Sequence, residues 1–184
     1  GEVKQGIRVS DASIILVPAK GGVAVGTEKS WAYAKEQGIA KLLFVSKMDE
    51  ENANFFQVLD QLTNVFGKGV VAFQLPIIEG EKFVGFVDVL NMTAKKFDKD
   101  KLVDTAIPAG LNDRISGIKD AMNEAIAETS EELMEKFFGG EEFTAEEINK
   151  GLRLGIGDGS IVPVFCGSAL NNQGIQQLMD AVIQ

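Results

Sequence analysis

Histidine is absent from this 184-residue chain, which removes the commonest general base and the commonest side-chain metal ligand. Hydrolytic chemistry would have to rest on carboxylates, lysines or a group outside the chain. Cysteine occurs once, as Cys166, so no internal disulfide can form and the sequence suits a reducing compartment. Long apolar runs are missing as well: none approaches the roughly 20 residues needed to span a bilayer, and no signal peptide opens the chain. A cytoplasmic location without membrane attachment is expected. Basic residues are outnumbered, 18 against 27 acidic, for a formal charge of −9. No run of the sequence forms a basic patch, so direct binding of DNA or another phosphate backbone is not expected, whereas a basic protein partner suits the charge.

Apolar residues make up 45% and charged residues 24% of the chain, ordinary values for a globular protein long enough to bury a sizeable core. There is no internal repeat and no low-complexity segment. The opening "GEVKQGIRVSD" puts Val3 and Ile7 on one helical face with no capping residue ahead, as the tail of a helix would. "SIILVPA" (Ser13–Ala19) is a short continuous apolar run of the kind found in parallel sheets covered on both faces. "GGVAVGTEKSWAYAKEQG" supplies a glycine loop, a helix carrying Trp31 and Ala34, and a stop at Gly38; "KLLFVS" follows as a second buried strand. Phe55, Val58, Leu59, Leu62 and Phe66 then have helical spacing up to Gly67. Far downstream, "SIVPVFCGSA" repeats the pattern of apolar strand into small-residue turn, ahead of a last helix with Ile175, Leu178, Met179 and Val182. This is the alternation of a parallel α/β sheet.

The middle of the chain breaks that rhythm. "VVAFQLPII" and "KFVGFVDVLNMTAKKF" alternate apolar and polar residues across a turn at Glu79–Glu81, as an antiparallel pair would. Amphipathic helices follow in "LNDRISGIKDAMNEAIAETS", "EELMEKFFGG" and "TAEEINKGLRLG", the last opened by a capping box of Thr144 and Glu147. The expected fold is therefore α/β, three parallel strands with flanking helices carrying an α+β insert: residues 1–69 and 158–184 form the sheet domain, and 70–157 the insert.

The most informative stretch is "LLFVSKMD", a buried strand running straight into Ser46-Lys47-Met48-Asp49. Ligands of open α/β sheets bind at the carboxyl ends of strands, and the turn after Cys166 has the same setting. If the two strands are neighbours, both turns line one pocket floor. An aspartate offers two coplanar acceptors that match the N1–H and exocyclic amino donors of guanine, a paired edge that adenine lacks. Two charge-assisted bonds of roughly 1.5–3 kcal/mol each select the base. The stem and ammonium of Lys47 can lie over base and ribose, and Gly167, Ser168 and Ala169 allow backbone N–H groups close to the guanine O6.

Lys-x-Asp after one strand and Gly-Ser-Ala after another resemble the guanine-recognition pair of GTPases, usually Asn-Lys-x-Asp and Ser-Ala. The flanks "GEVKQGIRVSDASIILVPAKGGV", "KMDEENANFF", "QLPIIEGEKFVGFVDVLNMTA", "ETSEELMEKFFGGEEFTAEEI" and "IVPVFCGSALNNQGIQQLMDAVI" extend the resemblance to the bacterial elongation factor G family of translational GTPases over essentially the whole chain. The resemblance implies a partial P-loop-GTPase-type sheet, a guanine site of Ser46, Lys47, Met48, Asp49, Gly167, Ser168, Ala169 and Leu170, and GTP or GDP as ligand. It implies Mg²⁺ only in the intact parent, because the phosphate-binding loop and switch segments of the family precede the first residue here. The chain alone is then expected to be inactive, and the parent to hydrolyse GTP on the ribosome in elongation. The insert would touch the ribosomal stalk protein, with Glu131, Glu132 and Glu135 as contact residues. The sequence departs from the family at Ser46, where asparagine is usual; the shorter hydroxyl has one donor, and losing such a bond costs on the order of 1 kcal/mol.

Each residue also has a plainer reading. Asp49 taken alone is a helix-capping aspartate ahead of "EENANFF", Lys47 a solvated lysine, Ser46 a turn residue, and the three glutamates a solvated helix face. Cys166 reads as a small buried apolar residue. Gly21–Gly22 is no phosphate cradle, since no Gly-Lys-Ser/Thr follows. The rival functions are a nucleotide-free stalk-binding module, a recycling or ribosome-protection paralogue, and an unrelated carboxylate enzyme using Asp49 and Asp11. With the family's strand order, Ser13–Ala19 would be a bare apolar edge through which the chain self-associates.

Overall fold

The computed structural model describes residues 12–99 and 101–166. The expected helix tail at the first residues, Asp11, the turn Gly167–Leu170 and the last helix lie outside the described residues. In chain order the elements are β1 (Ala12–Pro18), α1 (Val25–Glu36), β2 (Ala40–Ser46), α2 (Phe55–Phe66), β3 (Val70–Ala72), β4 (Gln74–Glu79), β5 (Lys82–Asp88), β6 (Thr93–Asp98), β7 (Lys101–Thr105), α3 (Asn112–Ala127), α4 (Glu131–Phe138), α5 (Ala145–Asp158) and β8 (Val162–Phe165). A single 3₁₀ turn at Ala109–Leu111 leads into α3. One sheet is parallel, in the order β1-β2-β8-β3; the other is an antiparallel meander, β4-β5-β6-β7. The α/β class with an antiparallel insert is as the sequence pattern implies.

Two details differ. Among the described residues the parallel sheet has four strands where three are expected, because Val70–Ala72 pairs with β8 and does not open the antiparallel pair. The chain changes sheets at Phe73, whose N–H donates to the Val164 carbonyl at 2.9 Å while its own carbonyl accepts from the Val89 N–H at 3.0 Å. A continuous apolar run spanning both sheets hides that crossing, since neither side shows a turn residue. The expected pair is also a four-stranded sheet: "KFVGFVDVLNMTAKKF" divides into β5 and β6 around Val89–Met92, and β7 follows. Gly85 lets β5 and β6 approach; a Cβ there would run into the Lys95 carbonyl oxygen.

The helices begin and end where side chains satisfy the backbone. The Asn54 side chain accepts from the Gln57 N–H at 3.1 Å and caps α2, which buries Phe55, Val58 and Leu62 on one face. The capping aspartate considered at Asp49 is therefore not the cap of α2. Ser130 caps α4, and Thr144 and Glu147 cap α5 reciprocally, with Glu147 Oε1 accepting from the Thr144 N–H at 2.9 Å. Helix α5 closes on Gly159 in the left-handed region at φ +85°.

Burial along β1 alternates. Ser13, Ile15 and Val17 are buried, while Ile14 and Leu16 are 52% and 62% exposed. Among the described residues the strand is covered on one face.

Candidate functional site

The carboxyl ends of β2 and β8 lie side by side. Leu43 pairs with Val164 and Phe44 with Phe165 in parallel register, so the chain leaves both strands at one edge of the sheet, about 5 Å apart. The two turns expected to share a pocket floor therefore start from adjacent strands. The first of them, Ser46–Asp49, is described; Gly167, Ser168, Ala169 and Leu170 lie outside the described residues.

The turn after β2 is pinned from below and open above. Met48 is buried at 7% exposure, anchoring the loop in the core. The Ser46 carbonyl accepts from the Ala19 N–H at 2.8 Å, and the Ser46 hydroxyl reaches the Val17 carbonyl at 3.5 Å, tying the end of β2 to β1. Lys47 adopts φ +58°, a left-handed conformation that costs a side-chain-bearing residue free energy and is kept where surrounding contacts impose it. Its carbonyl accepts from the Glu50 N–H at 3.2 Å, and its exposed ammonium stands 3.9 Å from the Glu50 carboxylate, a pair that contributes little in solvent. Asp49 is exposed and makes no hydrogen bond or ion pair among the described residues, so its two carboxylate oxygens are available as acceptors. An exposed carboxylate with both oxygens available can accept from two adjacent N–H donors of a ligand, and a long cationic stem beside it can lie over a flat one.

Two residues that hold this site were not singled out from the sequence. Asn54, whose N–H donates to the Ala19 carbonyl at 3.0 Å, ties the far end of the loop to the end of β1. Gln74, the first residue of β4, accepts from the Cys166 N–H at 3.1 Å through its side-chain oxygen, and so fixes the point where the second turn begins. No local signal marks Gln74, because its partner lies 92 residues away. Cys166 is fully buried and burial pushes its thiol well above the ordinary range, which makes it a small core residue and not a nucleophile.

Glu131, Glu132 and Glu135 belong to α4 in the insert, separate from the Ser46–Asp49 turn. All three are exposed, and Glu131 and Glu132 sit in the first helical turn, where the helix dipole favours carboxylates. No described group of three or more Cys, Asp or Glu side chains is placed to hold a metal ion. No described helix is long and apolar enough to cross a membrane.

Comparison with known proteins accords with this geometry. The family model described as "Elongation factor Tu GTP binding domain" matches residues 1–184. Among solved structures, a crystal structure of a Thermus thermophilus protein superimposes with a TM-score of 0.89 at 28% sequence identity, covering 100% of this chain and 28% of that one. The chain thus spans little more than a quarter of the length of that relative.

Proposed function

Since the chain belongs to the family of elongation factor Tu GTP binding domains, we propose that it forms the base-reading part of the guanine-nucleotide site of an elongation factor G-like translational GTPase. The observation that carries this reading is the register of β2 and β8, which sets the Ser46–Asp49 turn beside the chain leaving Cys166. Asp49 accepts from N1–H and the exocyclic amine of guanine, and the exposed side chain of Lys47 lies over the base. Met48 seats the turn, and Ser46 closes it against β1. Gly167, Ser168, Ala169 and Leu170, which lie outside the described residues, are assigned the backbone donors to the guanine O6 by their match to the family's Ser-Ala motif.

In this reading residues 1–69 and 158–184 belong to the nucleotide domain and 70–157 to the insert, except that Val70–Ala72 completes the parallel sheet and the chain enters the insert at Phe73. GTP or GDP is the ligand, and Mg²⁺ and the phosphates are held by other segments of the parent. Hydrolysis belongs to the parent, which acts on the ribosome in elongation and translocation. The insert presents Glu131, Glu132 and Glu135 to a basic surface of the ribosomal stalk protein, and the edge strand β1 mediates self-association. One observation favours a second reading, a stalk-binding module or a recycling or protection paralogue with weak nucleotide affinity. Ser46 stands in the place of asparagine, and its hydroxyl is turned to the Val17 carbonyl.

GTP and XTP affinities of the full-length parent with Mg²⁺, wild type beside Asp49→Asn, test the assignment. A carboxamide at Asp49 can donate to the C2 carbonyl of xanthine, so preference should pass from GTP to XTP. A wild type that binds no guanine nucleotide would sink the base-reading assignment and leave the second reading in its place.

A further inference from the structure

At the amino ends of the strands, opposite the Ser46–Asp49 turn, the fold assembles a group of cations that no stretch of sequence displays. Lys41, the second residue of β2, is only 4% exposed. Its ammonium lies 4.5 Å from the centroid of the Trp31 ring. The Phe66 ring stacks on Trp31 at 4.1 Å with the planes 17° apart, so it covers one face of the indole and the ammonium occupies the other. Beside them opens a hollow of about 260 Å³, whose lining includes Trp31, Lys35, Lys41, Lys68, Gly69 and Ser160.

The charges around this hollow are unequal in their partners. Lys68 is already neutralised, its ammonium 2.7 Å from the Glu128 carboxylate and 3.5 Å from that of Glu124. Asp158, at the end of α5, accepts from the Ser160 N–H at 2.8 Å. Lys41 has no carboxylate within ion-pairing distance among the described residues, and a like charge, Lys35, faces it from the last turn of α1. A lysine whose stem is buried and whose ammonium meets an aromatic face on one side and opens on the hollow on the other is partly desolvated without an ionic partner. Burial first and Lys35 second hold the Lys41 ammonium below the ordinary lysine value, as befits a cation lacking its counter-ion.

We propose that this hollow is an oxyanion site, in which Lys41 and Lys35 together bind the phosphate group of a small molecule. A phosphate supplies the missing negative charge, its oxygens accept from both ammonium groups, and the volume admits the group with a short ester substituent. Trp31 positions Lys41 by holding its ammonium over the ring and is not itself a platform for the ligand, since both of its faces are occupied. The site is distinct from the base-reading turn and does not depend on it.

Trp31 is the chain's single tryptophan, so its fluorescence reports on this site alone. We would titrate the 184-residue chain with inorganic phosphate, and in a second arm with ribose 5-phosphate, at ionic strength balanced with chloride. The expected result is a saturable Trp31 response in the millimolar range or tighter. Tighter binding of inorganic phosphate would identify a free-ion site, and tighter binding of the ester a monoester site. Lys41→Met should abolish the response with the far-ultraviolet spectrum unchanged. Lys35→Gln, a change at an exposed position, should weaken binding by about fivefold. No saturation with either ligand, or a response that persists unchanged in Lys41→Met, would overturn the proposal.

Discussion

The side-chain oxygen of Gln74 accepts a hydrogen bond from the backbone N–H of Cys166 at 3.1 Å. The first residue of the antiparallel sheet thereby holds the residue that directly follows β8 of the parallel one. Replacing Gln74 by Leu leaves a buried N–H unpaired, and should lower stability by about 1–3 kcal/mol in urea unfolding. Unchanged stability would mean that the Cys166 amide finds another acceptor.

Lys41 gives stability a dependence on alkaline pH. Its folded-state pKa is depressed, by burial and then by Lys35, below the ordinary 10.5. Between the two values the unfolded chain binds more protons, so stability should rise as pH climbs toward 10.5. Lys68 and Lys136 are shifted the other way, chiefly by hydrogen bonds to Glu128 and Glu147, so what they contribute is present below the ordinary value and is lost above it. Thermal unfolding against pH should show the rise in wild type and not in Lys41→Met; identical profiles would contradict the assignment to Lys41.

The amino end of α5 carries an acid-sensitive cap. Lys136 donates to Glu147 at 2.7 Å, and with the Thr144 N–H it holds that carboxyl below its usual range. The depressed value makes this contribution present above the ordinary 4.5 and lost as pH falls through the folded pKa. Glu147→Gln should therefore be less stable than wild type at neutral pH, with the gap closing in acid. Thr144→Ala, which removes the reciprocal acceptor, should cost about 1 kcal/mol at either pH. A Glu147→Gln gap that stays constant down to strong acid would assign the effect to shape and not to charge.

Among the described residues β1 is an edge strand and presents Ile14 and Leu16 at 52% and 62% exposure, an apolar surface beside an edge open to strand pairing. Sedimentation of the 184-residue chain should show concentration-dependent association, reduced severalfold by Leu16→Lys, since an edge lysine blocks strand pairing. Monomeric behaviour at high concentration in the wild type would remove self-association from the reading.

Much of the fold is local and was legible. The helical periodicity of Phe55–Phe66 with its stop at Gly67, the box at Thr144 and Glu147, and the turn at Gly80 depend on neighbours within four residues. The Ser46–Asp49 turn was equally legible, because an apolar run ending in Ser-Lys-Met-Asp states both where the strand stops and which groups are offered. Phe73 was not legible: a strand that leaves one sheet for another keeps the same apolar composition on both sides. The alternation of Ile14 and Leu16 with buried neighbours was hidden for the same reason, since β1 is apolar on both faces and the sequence of the strand alone does not say which is covered.

By itself the sequence determined the parallel α/β alternation, the capping box at Thr144 and Glu147, and the carboxylate and lysine of the turn after β2, all of them properties of short-range spacing. Only the tertiary structure decided the order β1-β2-β8-β3, which brings residues more than a hundred positions apart into register. It also decided the fate of Lys41, an ordinary lysine in the sequence whose stem becomes buried and whose ammonium lies over Trp31. The reason is physical: hydrogen-bonded caps and periodicities are written into adjacent residues, whereas strand neighbours and burial depend on which distant surfaces come to cover them.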